Sequence, residues 1–140
     1  MKKVFALLFA FVLLVVGCFN VTATNEASEV MPRYTHISYV TAGIYEGSLG
    51  FVTCTSTYSC LYEDYTFTLT CALQRTNGSG WVNYKTETQS FTSVGANAIE
   101  KTWYAPAGYT YRTYTTVVVK NSRTGKVVET ATADSPFIYR

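Results

Sequence analysis

Histidine is nearly missing from this sequence: His36 is the only one in 140 residues. With no second imidazole and no Cys-x-x-Cys pair, the ligand spacings that build zinc sites are absent. The same shortage excludes a nucleophilic triad. No Gly-x-Ser-x-Gly elbow accompanies His36, which sits in the alternating segment RYTHISYV and reads as a strand-surface residue. Aspartate is scarce too, with only Asp64 and Asp134, too few for the clustered oxygens of a calcium loop. Of the carboxylates that a glycosidase needs in pairs, only Glu63 and Asp64 adjoin, and LYEDY reads as a solvated loop. Neither GSLGF nor NGSGW has the spacing or the following helix of a phosphate-binding loop. The expectation is a protein that is not an enzyme, with no cofactor and no metal.

Clustered charge is lacking as well. Lys2 and Lys3 carry the whole formal excess of +2; after Ala23 there remain nine basic and nine acidic residues, scattered singly. Nucleic-acid binding needs basic side chains grouped to displace counterions from phosphates, and is excluded.

Long apolar runs are absent except at the start. Val4 to Val16 is uninterrupted and follows the two lysines. Thirteen helical residues rise about 20 Å, short of a hydrocarbon core of roughly 30 Å. The segment therefore reads as a signal-peptide helix. Two endings are open. In VTA, Val21 to Ala23, small residues precede a cut that releases a chain starting at Thr24, so that 1–23 is the signal peptide. In VVGC, Val15 to Cys18, the pattern resembles a bacterial lipobox, with 1–17 removed and Cys18 acylated. The first gives a secreted protein, the second a lipoprotein held at the membrane and facing outside. Residues 24–33 form a short extension in front of a domain spanning 34–140.

Cysteine is sparse there. Cys54, Cys60 and Cys71 make an odd number for an oxidising compartment. With Cys60 placed in a connection and Cys54 and Cys71 on flanking strands, a local Cys54–Cys60 disulfide is preferred to a Cys54–Cys71 bridge across the core.

What the chain does have is alternation. In YTFTLTCAL, Tyr65, Phe67, Leu69, Cys71 and Leu73 alternate with Thr66, Thr68 and Thr70, the pattern of a half-buried strand. Threonine and tyrosine suit a pleated surface. Asn-Gly in RTNGSGW folds Tyr65–Arg75 back on Trp81–Phe91, and KNSRTGK joins YTYRTYTTVVV to VVETATA in the same way. Tyr34–Val40, Leu49–Thr57 and Asn97–Tyr104 complete the set. About seven strands with no amphipathic helix between them predict an all-β fold, a single antiparallel immunoglobulin-like β-sandwich. In YAPAGYTYRTYTT a Pro and Gly turn leads into a strand beginning with tyrosines. This resembles a tyrosine corner, with Tyr111 as the corner residue, its hydroxyl on a backbone acceptor near the turn.

The succession MPRYTHISYV, GSLGFVTC, LQRTNGSGWVNYKT, PAGYTYRTYTTVVV and VVETAT resembles a family of small exported proteins of Gram-positive bacteria classified as a domain of unknown function. The resemblance spans about Pro32 to Ala133. It implies an exported bacterial sandwich and brings no activity with it.

Tyrosine dominates the aromatics of the domain. Trp81, Tyr84, Trp103 and Tyr104 are candidates for a binding surface, because aromatic rings are enriched at contact sites. The predicted function is an exported module that binds a surface polymer, glycan or protein; the alternative is a secreted bacteriocin-like or signalling polypeptide.

Overall fold

The computed structural model describes residues 34–140. The expectations for the signal peptide, Cys18 and the 24–33 extension lie outside the described residues. Within them the chain is all-β, with eight strands in two antiparallel sheets. Strands β1 (Ile37–Glu46), β2 (Phe51–Cys60) and β5 (Gly95–Tyr104) form one sheet in the order β1-β2-β5. Strands β3 (Tyr65–Thr76), β4 (Val82–Phe91), β6 (Thr110–Asn121) and β7 (Val127–Asp134) form the other in the order β4-β3-β6-β7, and the short β8 (Ile138–Tyr139) pairs with β6.

The period of two decides which side chains meet. On β2, Val52, Cys54, Ser56, Tyr58 and Cys60 point inward, and on β3, Phe67, Leu69, Cys71 and Leu73 do so. Strand β6 contributes Tyr111, Thr113, Thr115, Val117 and Val119. The threonines of β3 are left on the outer face, where Thr70 lies between Thr88 and Thr116 in register. Apolar burial at about 25 cal/mol per Å² is what holds such layers together.

The core is not wholly apolar, and its polar atoms tie the sheets together. Ser56 Oγ and Thr115 Oγ1 are 2.6 Å apart. Thr113 donates to the Gly43 carbonyl at 2.8 Å and Thr115 to the Thr41 carbonyl at 3.2 Å, both on β1. These bonds run from one sheet to the other and satisfy hydroxyls that would otherwise be buried unpaired.

Two expectations need correction. Cys60 does not lie in a connection: the inward alternation continues through Tyr58 to Cys60, the last residue of β2. Cys54 and Cys60 therefore share one extended strand, six residues apart, which places them on the order of 20 Å from each other, whereas a disulfide needs Cα atoms within about 7 Å. Their pairing is ruled out by the strand itself. Cys54, Cys60 and Cys71 are all buried free thiols. The strand count also rises by one, because β8 has two residues and too little sequence to show a period.

At the end where the described chain begins, Glu129 on β7 gathers the backbone. Its carboxylate accepts from the Thr35 and His36 N–H groups at 2.8 and 2.7 Å and lies 2.9 Å from His36 Nδ1. The His36 ring meets Tyr65 and Tyr62 edge-on, so this histidine is a half-buried anchor of the incoming chain.

Candidate functional site

Antiparallel pairing puts the β1–β2 turn, the β3–β4 hairpin, the β5–β6 loop and the C-terminus at one end of the sandwich, opposite Tyr34–His36. Backbone bonds knit this distal end: the Ala105 N–H donates to the Gly50 carbonyl at 2.8 Å and the Arg140 N–H to the Tyr109 carbonyl at 3.0 Å. Aromatic and arginine side chains collect here in two groups.

The first group stands on the outer corner of the three-stranded sheet. Inward Val52 and Trp103 leave Phe51 and Tyr104 outward, cross-strand partners whose rings meet edge to face at 5.7 Å. Tyr45 is exposed on the neighbouring β1, and Leu49 at the turn is 88% exposed. The turn itself is unusual. Leu49 has φ 56° and Gly50 φ 85°, and a left-handed conformation costs a branched residue such as leucine about 1–2 kcal/mol. Gly50 is required by position: a Cβ there would lie 2.7 Å from Tyr104 Cε2. The Tyr104 ring thus lies over bare backbone, and the turn presents Leu49 to solvent beside it.

The second group surrounds the β3–β4 hairpin. Arg112 stacks on Trp81 with its guanidinium carbon 4.4 Å from the ring centre. Its donors are used by Gln74 Oε1 at 2.9 Å and Asp134 Oδ2 at 2.8 Å. Arg75 lies between two rings, 4.4 Å from the centre of Tyr84 and 4.6 Å from that of Tyr109. Below it Tyr111 is fully buried, and its hydroxyl donates to the Pro106 carbonyl at 2.7 Å. Burial pushes the Tyr111 hydroxyl pKa up, with the Arg75 charge acting in the opposite direction.

The four aromatic candidates are divided between these groups. Tyr104 is exposed in the first; Trp103, the residue before it, points to the other side and packs half-buried on the core. Trp81 and Tyr84 belong to the second, both half-buried against arginines. Phe51, Tyr45 and Leu49 were not among the candidates. The sequence signal for them is the outward phase of β2 and a leucine set between Ser48 and Gly50 in a turn.

The Cys54 and Cys71 thiols are chemically quiet. Burial pushes the Cys54 thiol from 9.0 up to about 12, helped by neighbouring Cys71 and opposed by a hydrogen bond from Thr113. Cys71 is raised by burial as well. Neither supplies thiolate near neutrality, the form that reacts. Among the described residues no three His, Cys, Asp or Glu side chains converge on one point. No protein-family model matches the sequence, and no curated protein is similar to it.

Proposed function

We propose that this is an exported, non-enzymatic binding module of immunoglobulin-like type that engages a surface glycan through its distal end. The observation that carries the reading is the exposed cluster of Tyr45, Leu49, Phe51 and Tyr104, apolar surface displayed on a strained turn. Strain held at an exposed turn is a feature found at binding sites, and aromatic faces are suited to the apolar faces of sugar rings.

The topology supports the finer fold assignment. In that reading strands β1, β2 and β5 would correspond to A, B and E, and β3, β6 and β7 to C, F and G, with β4 beside C. The bond from Tyr111 back to Pro106 supports the same reading, since a tyrosine corner of such a sandwich would make it. The likeness to exported proteins of Gram-positive bacteria rests on the order of sequence segments. Export rests on the apolar run Val4 to Val16 and leads to a secreted protein, or to one anchored through Cys18. Within the described domain the aromatic cluster lies at the end opposite Tyr34–His36.

The test is sedimentation of the purified exported protein with insoluble cell-wall polysaccharide. Wild type is expected in the pellet and Phe51→Ala/Tyr104→Ala in the supernatant, with both proteins equally folded by circular dichroism. Equal pelleting of the two removes the cluster as the contact. Wild type that stays in the supernatant with every polysaccharide and pellets with a protein-bearing wall identifies a protein partner instead.

A further inference from the structure

The two stacked arginines at the distal end are built alike and finished differently. Arg112 lies on Trp81, and both sides of its fork are occupied, by Gln74 and by the Asp134 carboxylate. Arg75 lies between Tyr84 and Tyr109. Yet among the described residues its guanidinium has no carboxylate partner: the three ion pairs take His36, Lys101 and Arg112, and Arg75 has the uncharged Tyr111 hydroxyl as its hydrogen-bond neighbour. Two rings flank the guanidinium, and no acidic side chain neutralises it.

Arg75 is part of the wall of a cleft. Arg75, Thr76, Asn77, Ser79, Val82 and Tyr109 line an open hollow of about 320 Å³, near the lower limit of small-ligand sites, about 300 Å³. No acidic side chain lines it. Lys85 Nζ, 5.3 Å from the centre of the Tyr84 ring on which Arg75 also lies, adds a second positive charge nearby. Thr76 Oγ1 accepts from the Gly78 N–H at 3.0 Å, which leaves its own O–H to donate. Ser79 donates its O–H to Asn77 Oδ1 at 2.9 Å, so the lining is a stacked planar cation, the Thr76 hydroxyl as donor and one aromatic wall.

We propose that this cleft binds the carboxylate of an acidic sugar unit, a uronate, with Arg75 gripping both oxygens. A guanidinium fork matches a carboxylate in two parallel hydrogen bonds, a geometry that a lysine cannot reproduce. The hollow takes a unit of about one ring, and Tyr109 gives that ring a wall. The choice of a glycan rests on the proposed function; the capture of a carboxylate rests on Arg75 alone.

Titration of the exported protein, labelled with ¹⁵N, separates the possibilities. The probes are a glucuronate-containing tetrasaccharide, a neutral glucose tetrasaccharide and sodium acetate at low salt. The acidic oligosaccharide is expected to bind at least about tenfold tighter than the neutral one and to move the Arg75 Nε resonance, with affinity falling as salt rises. Arg75→Lys keeps the charge and loses the fork, and should weaken the acidic probe about tenfold. Arg112→Lys, with its own carboxylate partner, should not. Equal binding of acidic and neutral probes, an unmoved Arg75 resonance, or an unaffected Arg75→Lys overturns the proposal, as does acetate binding as tightly as the oligosaccharide. Loss of the acidic probe in Arg75→Lys together with full binding in Phe51→Ala/Tyr104→Ala keeps the cleft and removes the aromatic cluster from the proposed function.

Discussion

Removing a tyrosine hydroxyl should have opposite effects at two buried positions of this core. Tyr58 and Tyr111 are both fully buried. The Tyr111 hydroxyl donates to the Pro106 carbonyl at 2.7 Å. Among the described residues the Tyr58 hydroxyl meets no partner; the side chain of Asn97 beside it directs its amide group to the Ser93 and Gly95 carbonyls. A buried hydrogen bond contributes about 1 kcal/mol net, whereas an unpaired buried hydroxyl costs about 1–3 kcal/mol in lost hydration. Tyr111→Phe should therefore destabilise by about 1 kcal/mol, lowering Tm by about 4–8 °C in a domain of this size. Tyr58→Phe keeps the stack on Phe67, centroids 5.2 Å apart, and removes only the unpaired oxygen. It should raise stability by up to about 1 kcal/mol, the smaller gain reflecting the small void left behind. Urea unfolding of the two variants beside wild type measures both signs, and a difference of about 2 kcal/mol between them is well above error. If Tyr58→Phe loses as much stability as Tyr111→Phe, the reasoning from hydrogen-bond satisfaction is refuted.

Three further outcomes follow from particular residues. Because the folded Cys54 thiol is raised to about 12 from 9.0, its contribution is intact below pH 9.0 and is lost as pH rises towards about 12, at up to about 1.4 kcal/mol per pH unit. Urea midpoints from pH 8 to pH 11 should fall more steeply for wild type than for Cys54→Ala, and parallel slopes would discount the buried thiol. Leu49→Asn places at φ 56° a residue that tolerates this conformation, so Tm should stay level or rise while glycan pelleting weakens; a fall in Tm would show that Leu49 is packed and not displayed. Gly50→Ala adds a Cβ under the Tyr104 ring, 2.7 Å from Cε2, at φ 85°, and should cost about 1 kcal/mol or more, read by thermal melting. Unchanged stability there would mean the ring is free to lift.

Much of the architecture was legible because a strand has a period of two and a sandwich has one inside. Phe67, Leu69, Cys71 and Leu73 set against threonines announced both the strand and its inner face, and Asn77-Gly78 announced the return of β4. Strand ends were less visible. The strand Leu49–Thr57 expected from the sequence stops short of Cys60, yet one more inward step after Tyr58 is enough to extend β2 to it. Strand β1 opens on Ile37 and shows little alternation after it, since only that residue is fully buried, so its extent to Glu46 depends on pairing with β2 and not on its own pattern.

The candidate site was less legible, because it depends on which strands become neighbours. Trp103 and Tyr104 are adjacent in sequence and on opposite sides of β5, so a list of aromatics merges residues that the pleat separates. Charge shows the same limit more sharply. A domain with nine basic and nine acidic residues after Ala23 looks internally neutralised, and Arg75 and Arg112 are equivalent by type and by aromatic company. Only the placement of β7 beside β6 brings Asp134 to Arg112; on the side of Arg75 the neighbouring strand, β4, offers Val82, Asn83 and Lys85. Pairing order, not composition, leaves one guanidinium satisfied and the other open, and that asymmetry is the chemical information the fold adds to the sequence.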